Sequence, residues 1–163
     1  MASETPTPLR AAFEARDLDA VVRALAPDVV LNSPILGVPF AGIDEATDLF
    51  AVVLDELWPL TYLDEIPGDP HVLHFAGEVK GERLEGIDLL RFDQEGRVKE
   101  ITVFFRPLAA VAGFLGATGP KLGRRRGGAW RGAIIAAAGA PANAVMRTTA
   151  AAAPKLIGLG RGK

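Results

Sequence analysis

Cysteine is absent from these 163 residues, and histidine occurs only at His71 and His74. Without a thiol there is neither a disulfide framework nor a thiolate metal site, and two histidines are too few for a histidine cluster. A structural zinc site is therefore not expected; no metal and no cofactor are expected either. Acidic residues are missing from position 101 onward: all 20 lie at or before Glu100, together with 8 basic residues, whereas residues 101–163 hold 10 basic residues and no Asp or Glu. The formal charge of -2 thus conceals a body of -12 and a C-terminal region of +10. No apolar run reaches the ~20 residues of a membrane-crossing helix. The nearest, residues 132–146, is shorter and contains Pro141 and Asn143. Met1 to Pro8 lack a basic stretch followed by an apolar one, so no secretory signal is read there and the cytoplasm is the expected location.

With 49% hydrophobic and 23% charged residues, the chain has the composition of one globular domain. Composition shifts toward Gly, Ala and Arg after Pro120, which places the edge of the compact domain at about 118–122. Residues 1–120 are expected to form the domain, and 121–163 a basic Gly/Ala-rich extension that is dispensable for folding beyond about Arg124. Arg124-Arg125-Arg126 and Arg131 suit nucleic acid or an anionic membrane, but the leading expectation is attraction to the acidic body.

Thr7 followed by Pro8 marks the start of a first helix, with Leu9, Ala12 and Phe13 on its apolar side. Asp17 is positioned to cap a second, whose Leu18, Val21, Val22 and Leu25 keep helical spacing and which Pro27 should end. A strand is expected at 29–33 and a third helix from an Asp44 cap to Trp58, with Ala46, Leu49, Phe50, Val53, Leu54 and Leu57 inward. Four strands follow at about 60–66, 71–80, 83–93 and 97–106. Their connections, Pro67-Gly68-Asp69-Pro70, Lys80-Gly81-Glu82 and Asp93-Gln94-Glu95-Gly96, are short enough to require an antiparallel meander. Helices followed by a curved sheet make an α+β domain.

Asp88 breaks the apolar face of one of these strands, Leu84, Gly86, Asp88, Leu90 and Phe92. A carboxylate among core residues must be hydrogen-bonded, neutralised by a raised pKa, or exposed to a cavity. His74 shares its strand face with Glu78 and Lys80 and is expected at the sheet surface or a subunit contact. Ser33, with no histidine in sight, reads as a turn residue more readily than a nucleophile.

Several segments in order, Asp17-Leu18-Asp19-Ala20-Val21-Val22, Ala26-Pro27-Asp28-Val29, Ser33-Pro34, Gly42-Ile43-Asp44-Glu45-Ala46 and Asp88 through Val98, resemble the superfamily of nuclear transport factor 2, ketosteroid isomerase and the SnoaL-like polyketide cyclases. The resemblance covers about residues 8–107. It implies a cone: a curved antiparallel sheet wrapped around three N-terminal helices, with an internal pocket and homodimerisation through the open sheet face. In the isomerase pattern the general-base aspartate falls on Ser33, the oxyanion tyrosine on Leu9, and the protonated aspartic acid on Asp88. Steroid-type isomerisation is not expected from one group of three. The epoxide hydrolase pattern keeps a carboxylate near Asp88 but requires an arginine where Gly86 stands. Cyclases of the SnoaL type need chiefly one acid/base group in an apolar cavity, which Asp88 supplies.

The resulting expectation is a cofactor-independent cyclase or isomerase for a small apolar substrate, or an epoxide hydrolase-like enzyme, with Asp88 as acid/base; the alternative is a non-catalytic ligand-binding or dimerisation module. Ligand contacts are expected from Phe13, Leu31, Ser33, Phe50, Leu54, Trp58, Phe75, Gly86, Leu90, Val103 and Phe105.

Overall fold

Thr7 caps the first helix, α1 (Pro8–Glu14), its hydroxyl accepting the Arg10 N–H at 3.4 Å. Asp17 does the same for α2 (Leu18–Arg23), accepting the Ala20 N–H at 2.9 Å. A computed structural model describes residues 6–156. Residues 1–5, where a leader was sought, and 157–163 of the expected extension lie outside the described residues.

Helix α2 closes at Ala24, earlier than Pro27 suggested, because strand β1 (Leu25–Asn32) has already begun. Proline is tolerated there for a definite reason. The register between β1 and its neighbour shifts between Leu25 and Val30, so the missing N–H of Pro27 falls where no regular ladder bond is made. After the short β2 (Phe40–Ala41), α3 (Ile43–Glu56) starts two residues before the position that an Asp44 cap requires. Gly42 is the cap, with φ of 83°, a left-handed conformation that glycine adopts without steric cost. Asp44 and Glu45 instead place negative charge in the first turn, where the helix dipole favours it. Leu57 ends the helix and leaves Trp58 outside.

Strands β3 (Leu60–Ile66), β4 (His71–Val79), β5 (Glu82–Phe92) and β6 (Val98–Arg106) form the expected meander. The six-stranded sheet runs β2-β1-β6-β5-β4-β3, antiparallel except where β1 lies parallel to β6. The cross-strand rows decide what faces inward: Phe75, Gly86 and Phe105 lie side by side, as do Leu73, Asp88 and Val103. Leu9, Leu31, Leu73, Leu90 and Ile101 form the innermost packing.

The boundary expected at 118–122 falls inside a continuous helix, α4 (Leu108–Gly127), followed by α5 (Ala129–Leu156). Helix α4 buries Ala110, Ala112, Phe114 and Ala117. Its small side chains let the backbone approach the rest of the domain closely, and these buried residues all precede position 118, within the segment expected to form the compact domain. Its basic end meets the acidic face of α3: Arg125 pairs with Asp48 at 3.2 Å, Arg126 with Glu45, and Lys121 with Glu56. The two halves of the charge split are thus joined across these helices.

Candidate active site

Between the concave side of the sheet and helices α1, α3 and α4 lies a cavity of about 60 Å³, measured as the space that water centres can occupy. At ~10–15 Å³ per water on that measure, it holds roughly four to six water-sized groups. Rings from six elements enclose it. Phe13 meets Phe50 edge to face at 5.3 Å; Tyr62 meets Phe75 at 6.1 Å, Phe75 meets Phe105 at 5.9 Å, and Phe105 meets Phe114 at 5.1 Å. Such T-shaped contacts set the positive ring edge against the negative ring face, which fixes the rings in place as well as burying them.

Asp88 projects from β5 into this aromatic space. It is half-buried and lines the cavity, and among the described residues its carboxyl makes no hydrogen bond to the protein. Burial therefore acts unopposed and pushes its pKa from 3.8 to about 7. Tyr62, 9% exposed, lines the same cavity. Burial and, second to it, the nearby Asp88 charge raise the pKa of its phenol, which stays a neutral O–H donor. The Arg10 guanidinium packs over the Tyr62 ring, 5.3 Å from its centre. Ser33 also faces the cavity, while its oxygen accepts the N–H groups of Ile35 at 3.2 Å and Leu36 at 3.4 Å. The turn reading of Ser33 is thus correct, and its hydroxyl proton remains able to donate.

Eight expected site residues line the cavity: Phe13, Leu31, Ser33, Phe50, Phe75, Asp88, Val103 and Phe105. Four others do not. Leu54 and Leu90 are packed in the core away from it. Trp58 is 44% exposed because the chain turns outward after Leu57, and its ring stacks against Arg16 at 4.8 Å. Gly86 sits beneath the aromatic wall and creates room for it. A Cβ at Gly86 would lie 2.5 Å from the Phe75 ring and 2.8 Å from the Phe105 ring. Gly86→Ala is therefore expected to drive both rings toward the cavity and cost about 1–3 kcal/mol. Urea unfolding, with a crystal structure of the variant, checks this; unchanged stability and ring positions would count against it.

Tyr62, Leu49, Val53, Leu57, Leu60, Pro34 and Phe114 also line the cavity, beyond the ligand contacts expected from sequence. Helical spacing placed Leu49, Val53 and Leu57 on the inward face of α3, but Phe114 carried no such signal.

Both histidines serve the framework. His74 lies outside the cavity, bonded to Asp64 and Glu85 at 2.9 Å each, and these two carboxylates raise its pKa. His71 bonds Glu65 at 2.9 Å. Burial alone would raise the pKa of Glu65, but hydrogen bonds from the Thr7 N–H, His71 and Arg10 outweigh it and hold the carboxylate below its usual range. That cluster ties α1, which carries Phe13, to the sheet. Among the described residues no group of three His, Asp or Glu side chains could hold a metal ion, and no helix is long and apolar enough to cross a membrane.

A family model for the SnoaL-like domain matches residues 9–101, more than half of the chain. The chain belongs to the SnoaL-like family. A steroid delta-isomerase from Pseudomonas aeruginosa is 32% identical to this SnoaL-like chain over 71% of it and 84% of the isomerase, with a TM-score of 0.61. An uncharacterised protein with a cystatin-like fold from Silicibacter pomeroyi is 22% identical, covering 75% and 86% of the two chains, with a TM-score of 0.65. The epoxide hydrolase/cyclase-like enzyme SalBIII of salinomycin pyran-ring formation is 15% identical, covering 59% and 83%, with a TM-score of 0.52. The last two likenesses concern the fold alone. No protein with a curated description matches.

Proposed function

We propose that this SnoaL-like protein is a cofactor-independent acid/base enzyme, of isomerase or cyclase type, that moves a proton on a small apolar substrate in the cytoplasm. The observation that carries this reading is Asp88: a carboxyl in an aromatic cavity, without a hydrogen-bonding partner among the described residues and with a pKa of about 7. Near neutral pH such a group both accepts and returns a proton, which suits general acid/base work. Tyr62 and Ser33 supply O–H donors on the same cavity, suited to negative charge that develops on a substrate oxygen. Isomerase-like proton transfer fits the Pseudomonas relative, but Ser33 and Leu9 occupy the positions where the steroid isomerases carry their base and tyrosine. The available space also excludes a four-ring skeleton unless the rings swing outward. A compact ketone or a similarly acidic carbon acid is the better fit.

Deuterium exchange from solvent into small cyclic ketones, followed by proton NMR, tests the reading. Wild type should catalyse exchange, Asp88→Asn should abolish it, and Tyr62→Phe should slow it about 10²–10³-fold. Exchange unaffected by Asp88→Asn would reject Asp88 as the base. Binding without exchange would favour the second reading, a ligand-binding module, which draws support from Asp88 being, among the described residues, the sole carboxylate on the cavity. We further place a homodimer contact on the outer sheet face, where Ile87 and Phe104 are cross-strand partners and both exposed. Light scattering on Phe104→Glu, which should be monomeric, tests that contact.

A further inference from the structure

Helix α5 is acid-free, runs for 28 residues and packs back along α4. Ile135 covers Gly119 and Gly123 of α4, where a Cβ would approach it to 3.2 and 2.6 Å. The opposite side is bare. Trp130, Ile134, Ala137, Pro141 and Val145 follow one another at intervals of three and four residues and so share one face. Trp130 is 62% exposed, Ile134 56% and Val145 65%. A row of exposed large apolar groups on one helix is a binding surface rather than ordinary scatter.

Its surroundings select the partner. The Arg131 guanidinium sits 5.2 Å from the Trp130 ring centre, and Arg124 lies on the adjoining turn of α4. Among the described residues neither arginine is paired with a carboxylate. We propose that α5 docks in the plane of an anionic phospholipid surface, with Trp130 and Ile134 in the acyl boundary and Arg124 and Arg131 at the phosphates. Tryptophan beside arginine suits the headgroup boundary, where an apolar ring and a cation are both satisfied. The body, with a charge of -12 over residues 1–100, is repelled by the same surface and stays in water, which sets the orientation. Helix α5 is not apolar enough to span the bilayer and therefore lies on it. Nucleic acid is a poorer fit, because Arg125 and Arg126 are engaged by Asp48 and Glu45 and the apolar row offers phosphates nothing. A second copy would bring two acid-free cationic faces together.

The test uses the full chain carrying Trp58→Phe, which leaves Trp130 as its one tryptophan. It is mixed with phosphatidylcholine vesicles containing either no anionic lipid or about 30% phosphatidylglycerol. Co-flotation and a blue shift of Trp130 emission are expected with the anionic vesicles only, with binding weakened at about 0.5 M salt. Trp130→Glu with Ile134→Glu should weaken binding at least about tenfold while leaving the Asp88 titration unchanged. Flotation without a blue shift, or flotation insensitive to the paired glutamates, would overturn the docked-helix arrangement. Absence of flotation would overturn the proposal outright; a dimer lost on the same substitutions would then identify a second copy as the occupant, and retention of a DNA duplex would identify nucleic acid.

Discussion

Asp88→Asn is expected to make the protein more stable above neutral pH while removing its chemistry. In the folded protein the Asp88 carboxyl titrates at about 7, against 3.8 for an unperturbed aspartate. Between those values the native state holds a proton that the unfolded chain has released. This contribution to stability is full below about 3.8, declines as pH rises, and is gone above about 7. At 1.36 kcal/mol per pH unit the loss amounts to up to about 4 kcal/mol, less to the extent that water in the cavity solvates the carboxylate. Asparagine has nearly the same shape and does not ionise. The two proteins should therefore have similar stability near pH 4 and separate progressively toward pH 8, with the variant on top. Urea midpoints across that range measure it, since other carboxylates contribute equally to both proteins. Parallel curves would show that Asp88 is not desolvated, and the acid/base reading would lose its support.

Removing α4 should be far more damaging than removing α5. A chain ending at Pro107 loses Phe114, one wall of the cavity and the edge-to-face partner of Phe105. Loss of one buried phenylalanine side chain alone costs about 3–5 kcal/mol, a large part of the stability of a domain this size. Such a chain should unfold without a sharp transition or bind hydrophobic dyes. A chain ending at Gly128 keeps Phe114 and the Lys121, Arg125 and Arg126 pairs with α3, and should unfold cooperatively. Circular dichroism with urea titration of both chains decides the matter; a stable 1–107 chain would move the domain edge forward to the start of α4.

The strands were legible because their turns carry explicit chemistry. Asp93 accepts the N–H groups of Glu95 and Arg97, and Gly96 takes a φ of 76°, so Asp93-Gln94-Glu95-Gly96 marks its hairpin within the sequence itself. Asp88 was legible because a charge interrupted a period-two apolar face. Tyr62 carries no clean alternation signal, since the register of β3 shifts between Tyr62 and Asp64. Phe114 escaped notice because α4 packs through alanine and glycine, which leave a weak apolar pattern. Trp58 was misplaced for the converse reason: large aromatics attract a pocket assignment, yet its position after the Leu57 helix end turns it toward Arg16.

The parallel pairing of β1 with β6 has a bearing on how the cavity comes into being. Asn32 reaches across it to Glu100 at 3.3 Å and Thr102 at 3.0 Å, partners 68 and 70 residues away along the chain. Until β6 exists, β1 has only the two residues of β2 beside it. Closing so long a loop carries an entropic cost before any contact offsets it, which makes such pairings late events. Leu31 and Ser33 thus join Asp88 only after nearly two thirds of the chain has been made, so an emerging chain has its acid well before it has a chamber around it.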